Sequence, residues 1–225
     1  MQLRSDWSER VVVDASAMDW VESPSAGVQR KMLERDGDEV ARATSMVRYA
    51  PGSHFSRHVH ELGEELFVLE GEFCDESGRF GPGSYIRNPP GSAHAPWSDG
   101  GCVLFVKLRY FGPSDQARVV VDTRSTSWQQ GLVPGLSVMP LHEFRTEHTA
   151  LVRWAPNTHF NAHRHHGGEE ILVVDGVFED EHDRYPAGTW MRSPHLSEHQ
   201  PFSREGCIIL VKTGHLVTAA QAATR

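Results

Sequence analysis

The stretch Pro51-Gly-Ser-His54-Phe-Ser-Arg-His58-Val-His60-Glu-Leu-Gly-Glu64-Glu-Leu-Phe-Val-Leu-Glu-Gly71 sets two histidines two residues apart. A carboxylate follows four residues later, ahead of an apolar run. His94 comes after the turn Pro89-Pro-Gly91. Adding 105 to each number gives His163, His165, Glu169 and His199, the same types in the same order without a gap. One such set could arise by chance among 14 histidines, but hardly two in register. Three imidazoles and a carboxylate suit a borderline divalent ion. One metal per repeat is therefore expected, with Zn, Fe, Mn and Ni all compatible with the donors.

The repeat extends well beyond these residues. Tyr49-Ala-Pro-Gly52 matches Trp154-Ala-Pro-Asn157, Leu69-Glu-Gly71 matches Val174-Asp-Gly176, and Arg87 matches Arg192. Upstream the offset becomes 108, pairing Val11-Val-Val-Asp14 with Val119-Val-Val-Asp122 and Trp20 with Trp128. Such a duplication reads as two similar domains, 1–113 and 114–225, joined at Phe111-Gly-Pro-Ser114. Within each copy, short apolar runs such as Leu66 to Leu69 and Val103 to Val106 alternate with Gly and Pro clusters. That pattern indicates an all-β sandwich or barrel. Short helical pieces are expected around Val28 to Arg35 and at the C-terminal Thr218-Ala-Ala-Gln-Ala-Ala.

Period-two geometry puts His58 and His60 on one face of a strand. The turn at Leu62-Gly63 can bring the next strand back and aim Glu64 at the same point, while His94 arrives on a separate strand. Four protein donors on a six-coordinate ion leave about two positions open, whereas a structural zinc is closed at four.

These residues resemble a known family. Gly52-x5-His58-x-His60-x3-Glu64-x6-Gly71 and Gly83-x5-Pro89-x-Gly91-x2-His94 are similar to the two signature motifs of the cupin superfamily. The resemblance implies two tandem double-stranded β-helix (jelly-roll) barrels, each with an internal metal. It also implies that Glu64 and Glu169, rather than Glu65 and Glu170, are the ligands, because only they leave six residues before Gly71 and Gly176. Ser98 and Ser203 stand where the family carries an asparagine, and the second copy replaces Gly52 with Asn157 and Gly91 with Leu196. The run Pro-Gly-x5-His-x-His-x-x-Gly-Glu-Glu-x-x-Val-Leu-Glu-Gly-x-Phe-x-Asp-Glu resembles the cupin half of ChrR-type anti-sigma factors. In that family a zinc-binding helical domain clamps the sigma factor, and the cupin half supports a response to singlet oxygen or hydroperoxide. No counterpart of the helical domain is expected from this sequence.

Composition narrows the remaining classes. A net charge of −8 gives no footprint for direct nucleic-acid binding. No stretch reaches the roughly 20 apolar residues of a membrane span, and the polar start Met1 to Arg10 is unlike a signal peptide. Three cysteines, Cys74, Cys102 and Cys207, have no C-x-x-C spacing and point to a reducing cytoplasmic setting. Cys102 and Cys207 read as buried small residues of core strands.

For the other repeated residues the bland readings are preferred. His54 and His159 are expected at the surface, and Arg48, Arg153, Arg87 and Arg192 as outward strand charges rather than anion binders at a barrel mouth. Tyr49, Trp154, Phe67, Trp97, Phe202 and Phe105 are read as core rather than pocket lining. His166, His182, His195 and His215 have no histidine counterpart in the first copy.

The leading functional expectation is a metal-binding regulator that senses an oxidant, with a sigma factor as a conceivable partner. The alternative is an Fe(II)-dependent dioxygenase cleaving diketone or dihydroxyacetophenone substrates. A small-molecule ligand and a homodimer complete the expected partners. No hydrolase elbow, P-loop or dinucleotide fingerprint is present.

Overall fold

The computed structural model describes residues 1–112 and 114–216. Among them there is no helix, and antiparallel strands build two compact units. One comprises Met1–Ser5 and Met18–Thr126; the other comprises Asp6–Ala17 and the residues from Ser127 on. Each is a cupin-type jelly-roll barrel, as the motif spacing led one to expect.

In the first unit the large sheet has the spatial order Gln2–Leu3, Val28–Gly37, Ala41–Tyr49, Cys102–Leu108, Glu64–Gly71, Ser84–Asn88, Val119–Asp122. A smaller sheet joins Gly78–Phe80, Phe73–Asp75, Trp97–Ser98 and Ser53–His54, and a ribbon pairs His58–Val59 with Ala93–His94. The core draws on both sheets: Leu66, Val68, Ile86, Leu104 and Val106 meet Phe73 and Tyr49. The alternation of Glu64–Gly71 explains the arrangement, because the face that buries Leu66 and Val68 also carries Glu64. Burying each large aliphatic side chain of this set contributes about 1.5–3 kcal/mol.

The second unit repeats the plan, ordering Gln129–Gln130, Leu136–Phe144, Glu147–Trp154, Cys207–Thr213, Glu169–Glu179, Thr189–Ser193 and Val11–Asp14. The ribbon here pairs His163–Arg164 with Glu198–His199.

Two sequence expectations meet a different outcome. The segment expected to be helical from Val28 to Arg35 lies in the strand Val28–Gly37, paired along Ala41–Tyr49 with a bulge between Met32 and Glu34. Its Lys, Met, Leu and Glu residues favour a helix locally, but pairing and burial of Val28 and Leu33 override a weak propensity. The C-terminal helical expectation falls outside the described residues.

Arg87 and Arg192, expected on the outside, are both 0 % exposed. Arg87 lies over the Phe111 ring at 3.9 Å and donates to Asp115 at 2.7 Å, with Glu65 at 3.5 Å. Arg192 instead donates to the carbonyl of Asp6 at 2.6 Å. Both lie on the outer face of the large sheet, where a charge must find hydrogen-bonding partners to be tolerated.

The compact units differ from the sequence halves 1–113 and 114–225 in where the opening segments pair. Val11–Asp14 pairs with Thr189–Ser193 in the second unit, and Val119–Asp122 pairs with Ser84–Asn88 in the first. Each barrel is thus closed by the opening strand of the other repeat.

A cut between residues 113 and 114 would strip Ser84–Asn88 of one of its two partner strands and uncover Tyr85 and Arg87, both fully buried. Fragment 1–113 is accordingly expected to be cleaved faster in limited proteolysis than fragment 18–126, which keeps that pairing. Equal protection of the two would contradict the exchange.

Candidate metal centres

Local backbone geometry brings the four expected residues of the first copy together. His58 and His94 face each other across the ribbon as direct register partners, and His60 follows one residue beyond the strand. Gly63, at φ +77°, turns the chain into Glu64. A Cβ at Gly63 would meet the Phe111 ring at 2.4 Å, so glycine is demanded there by conformation and by space. Gly168 repeats this before Glu169, at φ +72° with Leu216 at 2.8 Å from a would-be Cβ.

One ligand atom from each of His58, His60, Glu64 and His94 lies within 4.8 Å of the others. His60 Nε2 stands 3.2 Å from His58 Nε2 and 3.4 Å from Glu64 Oε2, and His94 Nε2 stands 3.5 Å from that oxygen. Donors about 2.0–2.1 Å from one ion would stand about 3.0 Å apart in octahedral and about 3.4 Å apart in tetrahedral arrangement. The observed separations lie close to that range.

Hydrogen bonding on the far side of each ring tests the fit more sharply. His58 Nδ1 is 2.8 Å from the Ser56 carbonyl, which only accepts, so Nδ1 carries the proton. Ser92 Oγ donates to the Pro89 carbonyl and is left to accept from His60 Nδ1 at 3.2 Å. His94 Nδ1 faces the Asp75 carboxylate at 3.3 Å. All three rings therefore present a bare Nε2 lone pair towards the carboxylate, and His94 Nε2 is buried without a hydrogen-bond partner. Lone pairs converging at these distances repel unless a cation sits among them. The residues fit a divalent metal.

Strand parity also separates the neighbouring glutamates. Glu64 faces inward and accepts from Asn88 Nδ2 at 3.0 Å, whereas Glu65 points to the opposite face towards Arg87. In the second copy Glu170 likewise turns outward, to Trp190 Nε1 at 2.7 Å and His215 Nε2 at 2.9 Å.

The second cluster is looser. His163, His165 and His199 gather within 4.8 Å, but Glu169 does not join that set. Its Oε2 stands 3.4 Å from His165 and 3.6 Å from His199, buried and without a hydrogen-bond partner. The physical difference is that Ser193 occupies the position of Asn88, so the amide that steadies Glu64 has no equivalent. Asn157 and Leu196 nevertheless keep the left-handed backbone of the glycines they replace, at φ 60° and 67°. The space around Gly52 and Gly91 is open, so a side chain there meets no clash and costs only the conformational strain of about 1–2 kcal/mol.

Burial and neighbours set the protonation of these groups. Burial pushes His60 and His163 down, and His165 down to about 3. Burial also opposes charge on His94 and His199, yet Asp75 and Asp180, together with the ligand glutamates, raise both overall. The Cys102 and Cys207 thiols are pushed up by burial to about 11 and about 12, which keeps them protonated and inert.

Cavities open onto both clusters. In the first unit a cavity of about 340 Å³ is lined by all four residues, by Val47, Tyr49, Phe55, Leu66, Leu104 and Val106, and at its edge by Arg109. Its counterpart measures about 170 Å³ and is lined by Trp154, Phe160 and Phe178 beside His163, Glu169 and His199. Tyr49 and Trp154 thus face a cavity as well as the core, whereas Phe67 and Phe105 are buried away from it. His54 and His159 are exposed, as expected, and His195 accepts from the Gly167 amide at 2.8 Å without entering the cluster. Sequence reading missed Asn88 and Asp75. The cross-strand register of Asn88 with Glu64 is the signal that identifies the first.

Burial raises the Glu169 carboxyl from 4.5 to about 7. Between those values the folded, metal-free protein holds a proton that the unfolded chain has released. The stability contributed by this group is therefore full below pH 4.5 and is lost as pH rises through 7. In urea melts with chelator present, the stability of the wild type relative to Glu169→Gln is expected to fall by about 3 kcal/mol across that window. A difference that stays flat with pH would contradict the assignment.

Comparison with known proteins places the molecule. No curated protein matches the chain. Among solved structures, a candidate dioxygenase from Nostoc punctiforme aligns at TM-score 0.74 and 14% identity, over 95% of this chain and 86% of the other. Protein YlbA from E. coli aligns at 0.71 and 15%, over 93% and 92%. The oxalate decarboxylase of Lactobacillus farciminis aligns at 0.64 and 14%, over 92% and 86%. At such identities these matches speak for the fold alone. The model of the ChrR cupin-like domain matches twice, over residues 8–112 and 116–217, and the chain belongs to that family.

Proposed function

We propose that the first unit is a mononuclear metal centre that oxygenates a small, largely apolar ketone or enol. The observation that carries this reading is the cavity of about 340 Å³, which puts apolar walls directly against the four converging donors. Pockets of this size with few polar groups suit a compact organic molecule better than a purely structural ion.

His58, His60, Glu64 and His94 would hold the ion, and a first-row metal such as iron(II) would supply activation of dioxygen. The chain's own contribution is geometric and dielectric. Asn88 holds Glu64 in place, and the backbone carbonyl at Ser56 fixes the His58 ring. Val47, Leu66, Leu104 and Val106 line the same cavity as the donors and give it apolar walls. Arg109, bonded to Glu61 at 2.7 Å, stands at the rim.

The iron-loaded protein should consume oxygen with at least one member of a panel of diketones and hydroxyacetophenones. Val106→Trp, which fills the cavity, should lower that rate about tenfold or more while leaving metal content unchanged. No uptake on any member of the panel would sink the oxygenase reading.

A second reading, oxidant sensing, is favoured by the match of both repeats to the ChrR cupin-like family. With all three cysteines buried, a response would reside in the metal centres rather than in a thiol. A sigma factor as partner rests on the family resemblance alone. Release of metal within minutes of exposure to hydroperoxide or singlet oxygen, without substrate turnover, would favour sensing over oxygenation.

A further inference from the structure

Two aspartates outside the expected ligand sets reach the last histidine of each. Asp75, at the end of the strand Phe73–Asp75, is buried, and its Oδ2 stands 3.3 Å from His94 Nδ1. Asp180 lies 105 residues further on and stands 3.8 Å from His199 Nδ1. The duplication has therefore carried this carboxylate along with the four donors.

Each aspartate is held still by its other oxygen. Asp75 Oδ1 accepts from the Ser77 amide at 2.7 Å and from the Ser77 hydroxyl at 2.5 Å. Asp180 Oδ1 accepts from the Tyr185 hydroxyl at 2.7 Å and from the amides of His182 and Asp183 at 2.9 and 3.1 Å. A fixed carboxylate facing Nδ1 selects the tautomer with its proton there, which leaves Nε2 bare for a metal. His94 Nε2 and His199 Nε2 are both buried and without a hydrogen-bond partner.

The two copies differ in what else binds the carboxylate. Arg10, on the segment exchanged into the second unit, reaches Asp180 Oδ2 at 3.1 Å, the same oxygen that faces His199. Its repeat equivalent, Arg118, donates to Ser77 Oγ at 2.5 Å instead. In the first unit Oδ2 is thus left to His94, and the histidine lies 0.5 Å closer than in the second, 3.3 against 3.8 Å.

We propose that Asp75 is the positioning residue of the first metal centre, fixing His94 as an Nε2 donor, and that Arg10 draws Asp180 partly away from the same task in the second. The inference rests on the metal reading but concerns the protein side of it.

The test uses the full chain in two backgrounds, His199→Ala to isolate the first centre and His94→Ala to isolate the second. Co(II) affinity is measured by chelator competition, and imidazole tautomers of the metal-free protein by nitrogen–proton correlation NMR. Asp75→Ala should weaken Co(II) binding about 10–100-fold, shift its visible absorption, and move the His94 proton from Nδ1 towards Nε2. Asp75→Asn, which still offers an oxygen to Nδ1, should recover most of the affinity and the tautomer. Asp180→Ala should cost about threefold or less in its own background.

Unchanged affinity and tautomer in a folded Asp75→Ala protein would overturn the proposal while leaving the metal reading intact. Equal damage from Asp75→Asn and Asp75→Ala would also overturn it. Absence of Co(II) binding in the unsubstituted protein would remove the metal reading and the proposal together.

Discussion

Three imidazoles and a carboxylate converge on one point with every Nδ1 already partnered, and the rest of the structure is arranged around that conflict. Each Nδ1 of the first cluster is occupied from behind by a carbonyl, a hydroxyl or a carboxylate, so no ring can relieve the repulsion by changing tautomer. A cation resolves the conflict and would convert a destabilising cluster into a cross-link between the ribbon His58–Val59/Ala93–His94 and the sheet strand that starts at Glu64. The cost of assembling the cluster is met by the apolar core just behind it, where Leu66, Val68 and Ile86 are essentially inaccessible.

The parts of this arrangement that were legible in sequence were those fixed by short chain separations. His58, His60 and Glu64 fall within seven residues, so their convergence follows from strand periodicity and one glycine turn. The all-β character followed from short apolar runs broken by Gly and Pro. What escaped depended on register between distant strands. Asn88 matters because it lies opposite Glu64 across a strand pair, and Asp75 because its strand passes behind His94. Arg87 read as an outward charge because parity does point it away from the barrel interior; that the outer face is itself buried is a tertiary fact. The strand Val28–Gly37 has a helix-compatible composition, and only its pairing with Ala41–Tyr49 decides its conformation.

The duplication allows one site to be compared with the other at constant fold. Donor identities are unchanged, yet Glu169 falls outside the set of ligand atoms that lie within 4.8 Å of one another, and the cavity beside it is half the size. Both changes trace to supporting residues: Ser193 for Asn88, Trp154 for Tyr49, and Arg10 bound to the aspartate behind the last histidine. Tight tolerance in the ligands and loose tolerance in their support is what a binding site under two different demands would show.

The reciprocal exchange of opening strands bears on how such a chain could have arisen. A chain carrying a single repeat would have a sheet ending on an unpaired edge at the equivalent of Ser84–Asn88 unless a strand equivalent to Val11–Asp14, its own or a second copy's, covered it. Two copies of that chain could satisfy each other by trading the strand, as in a domain-swapped pair. Fusion of the two copies into one polypeptide makes the trade unimolecular, so closure of both barrels no longer depends on protein concentration. It also frees the two sites to diverge, since each is now encoded separately.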